Sequence, residues 1–249
     1  AVDHFRGREV EDMIRKIVFK TGIFLILCSS LVVPSSAKSP TGTWNIAVLM
    51  VDFPDKPGAS NQSYFRDLLL DDHPVNAPLG SMKDYYAEVS YGQLTLTGQV
   101  NNGAIQWYRM PQPYSFYDAN YGNLGQLFPD AVQAAIDAGF DFGPFDTDND
   151  GHVDAIMIIH AGTGQESSGC TCDIWSFAAA NTGIETGALN ASGNTVFTGR
   201  YAVMPEWWGT PGHMTIGVFA HEFGHVLGLP DLYDTDYSSN GLGNWSLMA

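Results

Sequence analysis

The eleven residues at 221–231, His-Glu-Phe-Gly-His-Val-Leu-Gly-Leu-Pro-Asp, hold the side chains with the clearest chemistry in this chain. His221 and His225 are four apart, so on a helix their rings leave the same face and can converge on one Zn²⁺. Glu222 lies beside the first of them, where it can act as general base toward a zinc-activated water. Gly228 can end the helix in the left-handed conformation and turn the chain back toward the metal. Asp231 then arrives as a candidate third ligand, with Asp234 as its rival, leaving a fourth position open for water as a catalytic zinc requires. The competing reading is a buried helix with two incidental histidines, and the added Gly228 and Asp231 weigh against it.

A second acidic constellation stands at 146–154. Asp146, Asp148 and Asp150 alternate, Gly151 permits a sharp turn, and Asp154 falls at loop position nine, as in a calcium-binding loop. Met157 occupies position twelve, where an EF-hand carries a bidentate glutamate, and an apolar strand follows instead of a helix. An EF-hand is thereby excluded. A Ca²⁺ loop completed by another residue, such as Asp141, and an acidic turn held by its own Asx hydrogen bonds both remain open. His160 ends an apolar run and reads as a core histidine. Glu206-Trp207-Trp208 reads equally as cleft lining or core, and Glu166 has no assigned role.

These groups need a scaffold, and the N-terminal part of the chain is not it. From Met13 a basic stretch leads into an apolar run at 23–33 and then Pro34-Ser35-Ser36-Ala37, the three parts of a secretory signal peptide. The run is too short and serine-interrupted for a stable membrane anchor. Residues 1–12 read as upstream, non-native sequence, 13–37 as the signal peptide and 38–249 as the catalytic domain, incomplete at its C-terminus. The whole chain carries 11 Lys+Arg against 27 Asp+Glu, a formal net charge of −16. Nucleic acid and anionic membranes are therefore poor partners. Cys170 and Cys172 are the cysteines left after the signal peptide, and in an oxidising compartment they can pair only with each other within the chain.

The expected elements alternate in type. Residues 44–53 are almost continuously apolar and read as a buried strand. Helices are expected over 61–70 and 81–90, the latter capped by Ser81. A half-buried strand follows over 93–100, then a long loop over 101–121. Helical spacing returns over 124–138, with strands over 153–160 and, more weakly, 197–204. The histidine-bearing helix spans 215–227 and offers Val218, Phe219, Val226 and Leu227 for packing away from its metal face. Strands interleaved with helices predict an α/β (α+β) domain.

The motif at 221–231 resembles the metzincin clan of zinc endopeptidases, with Asp231 standing where most members carry a third histidine. Extended to Leu232-Tyr233-Asp234, it is similar to the immune inhibitor A (M6) family. Met82-Lys83-Asp84-Tyr85-Tyr86-Ala87-Glu88-Val89-Ser90-Tyr91-Gly92-Gln93-Leu94 resembles that family's helix-to-strand signature. Gly243-Asn244-Trp245-Ser246-Leu247-Met248 resembles the segment of the clan's methionine turn. The resemblance implies a metzincin-like zincin domain, a small mixed twisted sheet backed by helices, with Met248 beneath the zinc site, and the spacing from Gly228 that it calls for favours Asp231 over Asp234. It implies a secreted zinc endopeptidase that cleaves extracellular proteins, binding an extended substrate along an edge strand. A thermolysin-type ligand set would need a downstream glutamate, and none follows Glu222 here. From a different functional class, the alternative is a catalytically silent, calcium-dependent binding module on the same scaffold.

Overall fold

The computed structural model describes residues 38–249 apart from 73, 74, 119, 121, 235, 237 and 240. The segments read as upstream sequence and signal peptide, 1–37, lie outside the described residues. In chain order the elements are β1 (Gly42–Asp52), α1 (Gln62–Leu69), α2 (Met82–Val89), β2 (Leu94–Val100), β3 (Tyr108–Arg109), α3 (Tyr114–Tyr117) and α4 (Leu124–Asp137). There follow β4 (Ala155–Thr163), α5 (Gln165–Ser168), β5 (Phe177–Ala180), β6 (Glu185–Leu189), β7 (Thr195–Phe197), β8 (Arg200–Trp207) and α6 (Ile216–Leu227).

The main sheet runs β2-β1-β4-β8-β5, with β3 pairing β1 beyond the end of β2. Every pairing is parallel except β5 on β8, so the sheet is mixed and its antiparallel strand forms one edge. Parallel strands are ordinarily covered on both faces, which explains the unbroken apolar run of β1. Its side chains alternate between two cores. Ala47, Leu49 and Val51 join Leu127, Ala131, Val132 and Ala135 of α4. Ile46, Val48 and Met50 join Phe65 of α1, Tyr86 of α2, and Phe219 and Phe223 of α6. A small antiparallel pair, β6-β7, stands apart from the main sheet.

Several boundaries follow from their caps. Asn61 accepts from Tyr64 N–H, and Ser81 forms a capping box with Asp84. The loop expected over 101–121 contains β3 and α3, both too short to leave a periodic signal. The weak fourth strand divides: Phe197 ends β7, and β8 begins at Arg200 after Thr198 and Gly199. The edge strand β5 escaped the sequence reading because its four residues lack β-branched side chains and alternation.

The 82–94 segment braces the helix that carries the histidines. Tyr86 donates its hydroxyl to the Ala220 carbonyl of α6 at 2.6 Å, and its ring meets Phe223 edge-on at 5.2 Å. Tyr86→Phe keeps the ring and removes the bond, so it should destabilise the domain by about 1 kcal/mol. A urea midpoint identical to wild type would show that the bond contributes nothing.

Candidate active site

Helix α6 starts at Thr215, whose hydroxyl caps Gly217 N–H, and ends at Gly228, which has φ of 100°. That left-handed residue lets Leu229 N–H return to the Gly224 carbonyl at 3.0 Å, closing the helix and reversing the chain. Phe219, Ala220, Phe223 and Val226 face the core, while His221 and His225 stay partly exposed on the other side. The 3.6-residue period creates this division.

The imidazoles are oriented by backbone. His221 Nδ1 lies 2.8 Å from the Leu247 carbonyl, and His225 Nδ1 lies 2.8 Å from the Leu229 carbonyl. Carbonyls only accept, so each Nδ1 carries the proton and each Nε2 presents a lone pair. Asp231 Oδ1 sits 3.3 Å from His221 Nε2 and 3.1 Å from His225 Nε2. Despite those distances it makes no hydrogen bond of acceptable geometry. The three atoms therefore aim at a common point rather than at one another. Ligands about 2.05 Å from a tetrahedral zinc stand about 3.3 Å apart, which matches this spacing. The donor set, two imidazoles and a carboxylate, suits that ion. Asp231 Oδ2 is held by the Tyr233 hydroxyl at 3.0 Å.

Asp234, the rival ligand, is occupied elsewhere. Its carboxylate accepts from Asp236 N–H at 3.1 Å, Ser238 Oγ at 3.3 Å and Ser239 N–H, closing the loop that follows.

Glu222 lies on the same helix, 6 % exposed, and its Oε2 has no hydrogen-bond partner. Its pKa is pushed up to about 8, first by burial, then by the negative charges of Asp231 and Glu166. Met248 is buried beneath α6, in close contact with Gly224: a Cβ on that glycine would lie 2.6 Å from the Met248 sulfur. Met248 O accepts from Leu232 N–H at 2.6 Å, tying this segment to the loop that bears Asp231.

In the acidic loop, ligand-capable oxygens of Asp146, Asp148 and Asp150 lie within 4.8 Å of one another. Asp154 does not join them. Its carboxylate pairs with Lys38 Nζ at 2.6 Å and accepts from Asn45 N–H at 3.0 Å and Thr147 Oγ1 at 2.7 Å. A charged and hydrogen-bonded niche 7 % exposed therefore takes the side chain assigned to loop position nine. Asp141 is also committed, accepting from Gly143 N–H at 2.9 Å. Asp146 accepts from Asp150 N–H, Gly151 N–H and Asn190 Nδ2, so Asx bonding already organises the turn.

Other tempting residues receive definite places. His160 is fully buried with Nε2 unpartnered, and burial lowers its pKa to about 4. Glu206 is fully buried and accepts from Ala59, Ser60 and Gly162 N–H, which is a structural role. Cys170 and Cys172 form a disulfide. The Leu229 and Leu247 carbonyls and the Tyr233 hydroxyl were not foreseen, because a backbone acceptor has no residue-type signature. Glu166 carried no motif either.

A family model for the immune inhibitor A peptidase M6 catalytic domain matches residues 41–249. Over 257 residues the chain is 32% identical to Immune inhibitor A of Bacillus thuringiensis subsp. alesti, covering 82% of this chain and 36% of that protein. Over 255 residues it is 30% identical to the Pre-pro-metalloprotease PrtV of Vibrio cholerae serotype O1 (strain M66-2), covering 83% of this chain and 27% of that protein. The chain thus spans little more than a third of one relative's length and about a quarter of the other's. With the match reaching over the sheet, α6 and the Met248 segment, the chain belongs to the immune inhibitor A (M6) peptidase family.

Proposed function

We propose that residues 38–249 form the catalytic domain of a secreted, zinc-dependent endopeptidase of metzincin type, with Glu222 as general base. The observation that carries this reading is the set His221 Nε2, His225 Nε2 and Asp231 Oδ1, aimed at one point beside an unpartnered, buried Glu222 oxygen. Zinc bound there would supply Lewis-acid polarisation of the scissile carbonyl and acidify a water. Glu222 would accept a proton from the attacking water and deliver it to the leaving amine. The carbonyls of Leu229 and Leu247 hold the imidazoles in the tautomer that offers Nε2. Met248 acts as the methionine of the turn beneath the site, packing α6 from below. Strand β5, the antiparallel edge, packs against α6 and offers main-chain groups to an extended peptide.

Secretion is supported by the basic, apolar and small-residue succession at 13–37. Among the described residues no helix is long and apolar enough to cross a membrane. We read Asp146, Asp148 and Asp150, without Asp154, as the residues that would hold a structural Ca²⁺, supported by their convergence.

The test is casein hydrolysis by the full-length protein with and without 1,10-phenanthroline. The expected result is cleavage that the chelator abolishes and added zinc restores. A folded, zinc-loaded protein that binds casein without cutting it would favour the silent binding module.

The raised pKa of Glu222 has its own consequence. At pH 7 a carboxyl with a pKa near 8 is about nine-tenths protonated, and a cation placed nearby favours the charged form. Zinc uptake at pH 7 should therefore release close to one proton that Glu222→Gln does not release. Calorimetry in buffers of different ionisation enthalpy measures that number, and equal release by the two proteins would contradict the assignment.

A further inference from the structure

Glu166 lies outside the ligand set, yet its carboxylate is firmly positioned. It accepts from Ser176 Oγ at 2.6 Å and from Ser176 N–H at 3.2 Å. Its oxygens curl over buried Gly164, where any Cβ would come within 2.3 Å of Oε1. The two ends of the loop that carries it are clamped together by Gln165 N–H to the Ile174 carbonyl at 3.0 Å. Two hydrogen bonds to a buried serine, within a loop closed at its base, leave this side chain little freedom to swing away.

Its place in the fold is equally specific. Ser176 directly precedes the edge strand β5, and its side chain is 4 % exposed. Side chains two apart on an extended chain share a face, so Ser176 points the same way as Ala178. Ala178 packs into the core that contains Phe219, Phe223 and Val226 of α6. Glu166 is thus held on the face of the sheet that looks onto the histidine-bearing helix, at the start of the strand offered to a substrate. The influence of its charge on Glu222 agrees with this placement.

Among the described residues Glu166 has no counter-cation. The side-chain ion pairs among them employ Lys38, Lys56, Arg66, Lys83, Arg109 and three histidines, each with a different carboxylate partner from Glu166. The remaining described cation, Arg200, donates to the Val226 carbonyl. A rigid, partly buried anion beside the edge strand is therefore left, among the described residues, with hydrogen bonds but no opposite charge, and an incoming cation would gain more there than at a solvated surface carboxylate.

We propose that Glu166 is a specificity-determining residue that selects a cationic side chain, arginine or lysine, flanking the scissile bond of a peptide substrate. The inference rests on the peptidase reading above for its setting, and its consequence is electrostatic selection. A basic side chain is attracted, while an acidic one at the same position meets uncompensated repulsion. Discrimination on the order of tenfold between arginine and a neutral isostere is expected for one partly solvated pair.

The experiment separates binding from cleavage. Fluorescent peptides that differ only in arginine, norleucine or glutamate beside the central bond are titrated into the zinc-loaded full-length Glu222→Gln protein. The expected order is arginine over norleucine over glutamate, with an arginine-to-norleucine ratio near tenfold that shrinks as salt rises. Adding Glu166→Gln, which keeps an acceptor for Ser176, should bring that ratio close to unity, and Gly164→Ala should reduce it by displacing the carboxylate. Equal affinities in the Glu222→Gln protein, or a ratio that survives Glu166→Gln, would overturn the proposal. The same peptides given to wild type test the peptidase reading separately. Charge-selective binding without cleavage would sink that reading and leave the role of Glu166 standing.

Discussion

Replacing Glu222 by glutamine should lower the hydrolysis of casein and of short peptides by about 10³- to 10⁴-fold while zinc still binds at one per chain. The residue is not among the three atoms that converge, so its loss leaves the ligand set intact. Glutamine is nearly isosteric and avoids burying a new charge in a position 6 % exposed. What disappears is the group that accepts and returns a proton, an effect generally worth about 10²- to 10⁴-fold. Because Oε2 has no hydrogen-bond partner to lose, the fold should tolerate the change and the thermal midpoint should not fall. Metal analysis together with initial rates checks both halves. Activity within tenfold of wild type would remove Glu222 from the chemistry. Loss of zinc together with activity would mean that Glu222 also supports the metal.

The second large effect concerns the proposed third ligand. Asp231→Ala should weaken zinc binding by more than the roughly 10- to 100-fold that loss of an outer-shell partner usually costs. It should abolish activity at ordinary zinc concentrations. Asp234→Ala should leave zinc affinity within a few-fold, because that carboxylate is engaged with Asp236, Ser238 and Ser239. The opposite ranking in a competition titration would transfer the ligand role to Asp234. Asp231→His offers a finer reading. A neutral imidazole removes one negative charge from the metal's surroundings, which should make the activated water more acidic. The rising limb of the rate profile should then lie at lower pH in the variant than in wild type, and superimposable profiles would refute this account.

Much of the site was legible because its determinants are local. The four-residue spacing of His221 and His225, the adjacent Glu222 and the helix-ending Gly228 all follow from one helical period and one left-handed residue. The cap Ser81 was legible for the same reason. The acidic loop shows where such reasoning stops. By spacing alone Asp154 belongs with Asp146, Asp148 and Asp150, but Lys38 and Asn45, more than a hundred residues earlier, draw it away. Likewise β3, α3 and β5 are defined by what they pair with or pack on, and their own residues are too few to carry a period.

By itself, then, the sequence determined which side chains could meet on α6, the continuous apolar run that buries β1 on both faces, and the interleaving of strands with helices. The tertiary structure decided which aspartate completes the triangle and which carbonyls orient the imidazoles. It also decided that Met248 underlies Gly224, and that Glu166 stands by the edge strand with no cation among the described residues. The physical reason is one of range. Spacing on a helix or strand sets the direction of neighbouring side chains through covalent geometry. Contacts such as His221 with Leu247, or Tyr86 with Ala220, join atoms brought together only when the two cores close, and backbone acceptors can be any residue type.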